Sequence, residues 1–146
     1  MVSDRDSEKE ARDKLLTDYN AIIRESSLLV TFTGILFGFL LNISVAYTDK
    51  IVPLNRVVIT LAILSMTVAI SLFIMPVIYH HLEYPYRDLE KFKRRAHRFM
   101  LFGFLPTGLT LYLSLEIALY SFIGLFSFAL AAIPFAFAYA LFLNRR

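Results

Sequence analysis

At 146 residues, with 58% hydrophobic and only 18% charged side chains, the chain is too apolar to present the polar surface that a water-soluble domain of its size needs. Cysteine is absent, which excludes disulfides, thiolate catalysis and cysteine metal sites; tryptophan is absent too, so tyrosine must supply any interfacial anchors. The formal net charge of +3 is small, and the informative feature is where the basic residues fall along the chain.

Residues 1–26 read as a cytoplasmic amphipathic helix. The opening residues MVSDRDSEKEARDK are too charged to hold the apolar core of a signal peptide, so none is expected. Ser7 with Glu10 fits a capping box, in which hydroxyl and carboxylate satisfy orphan amide donors. Glu8 with Arg12 and Glu10 with Lys14 are i,i+4 pairs of the favourable polarity. Leu15, Leu16, Tyr19, Ile22 and Ile23 form an apolar stripe, and no Gly or Pro interrupts the chain before Gly34. A single helix is therefore predicted to run on into the first apolar stretch.

That stretch, SSLLVTFTGILFGFLLNISV at 26–45, is long enough to span a hydrocarbon core of roughly 30 Å as a helix of about 20 residues. Its small and polar residues line up. Ser27, Thr31, Gly34, Gly38 and Asn42 fall within roughly 80° of one helix face. Polar groups facing lipid are disfavoured, so this stripe is expected to face protein or water. It either hydrogen-bonds within a bundle or lines an aqueous path. Gly34 and Gly38 form a GxxxG pair that lets helix backbones approach closely, against the protein's own helices or against a second copy.

A short connection, AYTDKIVPLN, leads to a second predicted span at 56–79, with Pro76 near its end. The next connection, HHLEYPYRDLEKFKRRAHR, holds His80, His81, Glu83 and His97. Adjacent His80 and His81 point to different faces of a helix, which is poor chelating geometry, and no metal site is expected. Asp88 is a plausible helix cap. The third span is predicted at 99–119 with Pro106 inside it, and the fourth at 122–143 with Pro134 inside it. The turn between them is tight, which makes an antiparallel hairpin. The alternating FSFALAAIPFAFAYALF of the fourth span has the period of a strand, but a lone strand cannot satisfy its backbone in lipid. Read as a helix, it carries a small-residue ridge at Ala132, Ala136 and Ala140.

Glu116 is the single acidic residue inside a predicted span, with Tyr112 and Tyr120 one turn either side on the same face. A buried carboxylate there could bind a cation or relay protons; at the end of a span it is equally an interfacial residue beside two tyrosine anchors. Lys91, Lys93, Arg94, Arg95 and Arg98 form a basic collar at the start of the third span. The collar is suited to anionic lipid headgroups and is also the ordinary topology signal. All 15 Lys and Arg except Lys50 and Arg56 fall on one side if the spans number four, which puts both termini in the cytoplasm and the protein in the plasma membrane. Basic and aromatic residues are not interleaved, so nucleic acid is not expected as a partner. No nucleophile–base pair, phosphate loop or dinucleotide fingerprint occurs, and neither an enzyme nor a cofactor is expected.

Three pieces, TGILFGFLL at 33–41, MPVIYHHL at 75–82 and RDLEKFKRRAHRF at 87–99, together with the order of spans, resemble a family of small prokaryotic four-span membrane proteins. Its function is uncharacterised, although members are often labelled automatically as sodium:proton antiporters. The resemblance covers most of residues 20–120, with the last span matching only in hydropathy. It implies topology and a prokaryotic origin, and adds little about activity.

The expectation is an all-α membrane protein with a cytoplasmic helix at 1–26 and a four-helix transmembrane domain at 27–146. Four short spans enclose little volume, so transport would need several copies around an axis lined by the first helix. A homo-oligomeric ion or small-solute channel or transporter is one reading. A non-conducting module that binds anionic lipid or a partner protein is the other.

Overall fold

A computed structural model of the chain describes residues 4–46, 52–83 and 89–144, without the side chains of residues 4–8, 11, 15, 18, 83 and 89. The described residues form four α-helices and no strand: α1 (Asp4–Ala46), α2 (Pro53–Glu83), α3 (Leu89–Ile123) and α4 (Ser127–Leu143). The unbroken run without Gly or Pro does give one helix: α1 is 43 residues long, about 64 Å at 1.5 Å per residue. The Ser7–Glu10 capping box and the Glu8–Arg12 pair rest on side chains outside the described residues, as does the Asp88 cap.

Among the described residues, three helical runs are long and apolar enough to cross a membrane: Arg12–Ala46, Pro53–Leu82 and Glu90–Leu143. The expected fourth run does not stand apart from the third among the described residues, because α4 has only 17 residues and continues it through a single 3-10 turn, Gly124–Phe126. The chain reverses later than the sequence suggests. Helix α3 extends through Ile123, and Gly124 turns the chain at φ 59°, a left-handed conformation that glycine adopts without a Cβ penalty. Beyond the turn α4 packs back antiparallel on α3. The Tyr112 hydroxyl donates to the Phe128 carbonyl at 3.2 Å, and the rings of Tyr112 and Phe135 meet edge-on at 6.0 Å.

Helix α2 lies between α1 and α3 and packs on both. Its buried line is Val58, Ile59, Ala62, Met66, Ala69, Phe73 and Pro76, spaced alternately three and four residues once past Ile59. Helix α3 answers with Phe92, Ala96, Met100, Gly103, Thr107, Thr110, Leu113 and Glu116. Helix α1 buries Ser26, Thr33 and Leu40, one per heptad. A recurrence near seven residues keeps one seam of each helix against its neighbour. The registers are antiparallel: Tyr19 meets His80 and Ser26 meets Phe73 between α1 and α2; Ser65 meets Pro106 and Ala62 meets Thr110 between α2 and α3.

The interior is where the small and hydroxyl-bearing residues are. Ser26 donates to the Phe73 carbonyl, Ser65 to the Pro106 carbonyl at 2.9 Å, and Thr110 to the Pro106 and Ala62 carbonyls at 2.9 and 3.2 Å. A proline inside a helix removes the donor for the carbonyl four residues before it and loosens the turns around it, and the hydroxyls of Ser26 and Ser65 reach carbonyls in those turns from the neighbouring helix. The outside is built from large apolar residues such as Leu28, Phe32, Phe39, Leu61, Leu64 and Leu105. An apolar exterior around a polar-flecked interior suits lipid rather than water. Among the described residues, helix α4 contacts α3 and its own turn alone. From Ala136 onward all of its side chains are exposed. The predicted ridge of Ala132, Ala136 and Ala140 thus does not pack within this bundle.

Candidate functional site

The five stripe residues of α1 all lie on one face, and that face points away from the bundle. Ser27, Thr31, Gly34, Gly38 and Asn42 are exposed, whereas Ser26, Thr33 and Leu40 are buried. A one-residue offset turns a helix by about 100°, so the two hydroxyl-bearing faces compete for the interior and the Ser26 face wins. Thr31 closes its own hydrogen bond onto the Ser27 carbonyl at 2.9 Å. Nothing lies within 4 Å of where a Cβ would stand on Gly34 or Gly38. The glycine pair therefore makes no close approach to the protein's own helices. Ile35, Gly38, Phe39 and Asn42 line a shallow depression on this outward face.

Glu116 goes the other way. Its side chain is 0% exposed, and its Oε1 accepts a hydrogen bond from Ser127 Oγ at 3.0 Å across the α3–α4 hairpin. The other carboxylate oxygen, Oε2, is buried with no hydrogen-bond partner, as is the Oδ1 of Asn55. Tyr112 and Tyr120 flank Glu116 one turn either side along α3. The Tyr112 hydroxyl is committed to the Phe128 carbonyl, and Tyr120 is half-buried. Ser127 and Asn55 escape the sequence reading. The available signal was that Ser127 is an isolated polar residue among apolar ones and that Asn55 with Arg56 opens an apolar run.

At the opposite end of the bundle, Lys91, Lys93, Arg94 and Arg98 are exposed on α3. Arg95 is half-buried and turns inward, donating to the Tyr79 hydroxyl with its guanidinium 5.4 Å from the Tyr79 ring centre. The collar thus presents four basic side chains outward and uses the fifth to join α3 to α2. Beside it, the Tyr19 hydroxyl and His80 Nδ1 are 2.5 Å apart, and the Tyr19 ring lies 5.4 Å from both His80 and Phe92. His81 and His97 are exposed, and among the described residues no three metal-binding groups converge.

Fold and site together define an all-helical protein with three helices long and apolar enough to cross a membrane, a polar interior seam and an outward glycine-bearing face. The chain belongs to a family of unknown function, DUF6328, whose model matches residues 6–144. No curated protein and no solved structure matches the chain.

Proposed function

We propose that the protein is a multi-pass membrane protein of the plasma membrane, with four spans and both termini cytoplasmic. In this reading α4 crosses as the returning arm of the α3–α4 hairpin, and the protein works as a homo-oligomeric channel or transporter for an ion or small solute. One observation carries the reading: the whole stripe of Ser27, Thr31, Gly34, Gly38 and Asn42 faces away from its own bundle, with open space over both glycines. An amide such as Asn42 facing acyl chains has no water to bond, and each unsatisfied polar group there costs several kcal/mol. A second copy supplying the same face would cover the amide and use the close approach that two glycines allow. With α1 nearest the axis, the stripe would line the path between copies.

Native mass measurement in mild detergent, followed by ion flux from liposomes, tests this. A defined oligomer with flux that changes in Asn42→Leu is expected. A monomer without flux sinks it. The exposed side chains of Lys91, Lys93, Arg94 and Arg98 favour a second reading, a non-conducting module held to anionic lipid at about 1 kcal/mol per basic residue. On that reading Asn42→Leu changes stability alone, and binding to anionic vesicles falls as the collar is neutralised.

A further inference from the structure

The outward face of α3 changes its chemistry along its length without changing direction. Lys91, Arg94, Arg98, Leu101, Phe102 and Leu105 are all exposed and fall within roughly 100° of helix arc, opposite the line that α3 buries against α2. The cations come first and the large apolar side chains follow. Arg98 and Phe102 are about 6 Å apart along the axis, one helical turn, so charge gives way to hydrocarbon abruptly. A topology signal needs positive charge near a span end at any angle around the helix. Here the basic residues are sorted by angle. Lys93 stands about 100° round the helix from Arg94, and Arg95 is committed to the Tyr79 hydroxyl. Exposed Glu90, one turn before Arg94, offsets one charge and leaves the face positive.

We infer that this face binds one acidic phospholipid, its phosphate held by Arg94 and Arg98 and its acyl chains lying on Leu101, Phe102 and Leu105. A guanidinium fork matches the oxygens of a phosphate, and two arginines four residues apart on one helix face can reach the same group. An acidic peptide would answer the two charges and leave the apolar side chains below them uncovered. A phospholipid answers both at the spacing the helix sets. A zwitterionic lipid carries its own cation, which opposes the contact, so a headgroup of net negative charge is preferred. The inference rests on the reading that the bundle spans a bilayer with the start of α3 at its edge, and it holds whether or not the protein conducts.

The chain has no tryptophan, so Phe102→Trp places a sole indole fluorophore beside the site. The full chain carrying it is reconstituted in mixed vesicles of phosphatidylcholine and phosphatidylglycerol, with one lipid or the other brominated on its acyl chains at equal mole fraction. Bromine quenches indole at near contact, so the difference reads which lipid lies on the face. Brominated phosphatidylglycerol should quench more strongly, with a preference of about fivefold. Arg94→Gln with Arg98→Gln should bring the two lipids to equal quenching, and Arg98→Gln alone should lower the preference if the double variant does not fold. Arg12→Gln with Lys14→Gln removes as much charge farther out along α1, beyond the contact of Tyr19 with Phe92, and should leave the preference intact. Equal quenching by both lipids in the Phe102→Trp parent overturns the lipid site and leaves the membrane reading standing; quenching by neither overturns both. A preference lost as fully in the Arg12 and Lys14 variant also overturns the site, because diffuse attraction then accounts for it.

Discussion

Gly103 and Gly108 sit a turn and a half apart on α3 and face opposite constraints. A Cβ at Gly103 would run into three atoms of the Phe73 ring, and that ring is wholly buried, edge-on to Phe104 at 5.6 Å, with little freedom to yield. Nothing lies within 4 Å of a Cβ at Gly108. Replacing Gly by Ala inside a helix gains about 1 kcal/mol from backbone entropy and solvation, whereas overpacking a tight contact costs typically about 1–3 kcal/mol. Gly103→Ala should therefore lower the melting midpoint, and Gly108→Ala should leave it unchanged or raise it. Ser26 makes a second prediction at this scale. Its hydroxyl donates to the Phe73 carbonyl, so Ser26→Ala removes one buried interhelical hydrogen bond at a cost of about 0.5–1.5 kcal/mol. Ser27→Ala, one position on and exposed, should cost less in a monomeric preparation. Equilibrium unfolding in mixed micelles measures both.

At the scale of elements, what was legible in the sequence is what local chemistry decides. The long α1 follows from an absence of breakers before Gly34, and the interior positions of Pro76, Pro106 and Pro134 follow from apolar runs too long to end there. The orientation of α1 was not legible, because serine and threonine occur on two faces about 100° apart, and only the partners decide between them. Ser26 has the Phe73 carbonyl to bond and Ser27 has nothing comparable across the interface. The α3–α4 reversal was misplaced for a similar reason. Residues 119–126 are apolar except for Tyr120, Ser121 and Gly124, so hydropathy does not mark the turn, and the partner of Glu116 stayed hidden with it. Among the described residues, the part of α1 before Ser26 meets the bundle through Tyr19 against His80 and Phe92 and through Ile22 against the core. Tyr19→Phe keeps the ring contacts and removes the hydroxyl. A hydrogen bond worth about 1 kcal/mol corresponds to about fivefold in local opening. Trypsin cleavage after Arg24 should accelerate by about that factor, read by gel densitometry, while the melting midpoint of the remainder stays within a degree or so.

At the scale of the whole molecule, orientation rests on charge and on how many times the chain crosses. Interior packing fixes the antiparallel order of α1, α2 and α3, so the α1–α2 connection and the start of α3 stand at opposite ends of the bundle. If the bundle spans a bilayer, those two ends face opposite compartments whatever becomes of α4. Which end is cytoplasmic follows from the basic residues: Lys91, Lys93, Arg94, Arg95 and Arg98 lie at one end, and Lys50 and Arg56 are all that flank the other. The absence of cysteine makes this directly measurable, since an introduced thiol is the sole target for a membrane-impermeant maleimide. In intact cells Asp49→Cys should label from outside, and Arg94→Cys only after permeabilisation. The C-terminus is the discriminating third position. If α4 crosses, Arg146→Cys behaves like Arg94→Cys; if α4 instead lies along the surface, held only by α3 through Tyr112 and Glu116, it labels like Asp49→Cys. A crossing by α4 would take the fully exposed half beyond Ala136 out of water, where side chains such as Phe137, Leu141, Phe142 and Leu143 are otherwise exposed on all faces of that helix. Immersion in acyl chains achieves this, and a surface position covers one face alone. Labelling of Asp49→Cys and Arg94→Cys from the same side would undo the transmembrane assignment altogether.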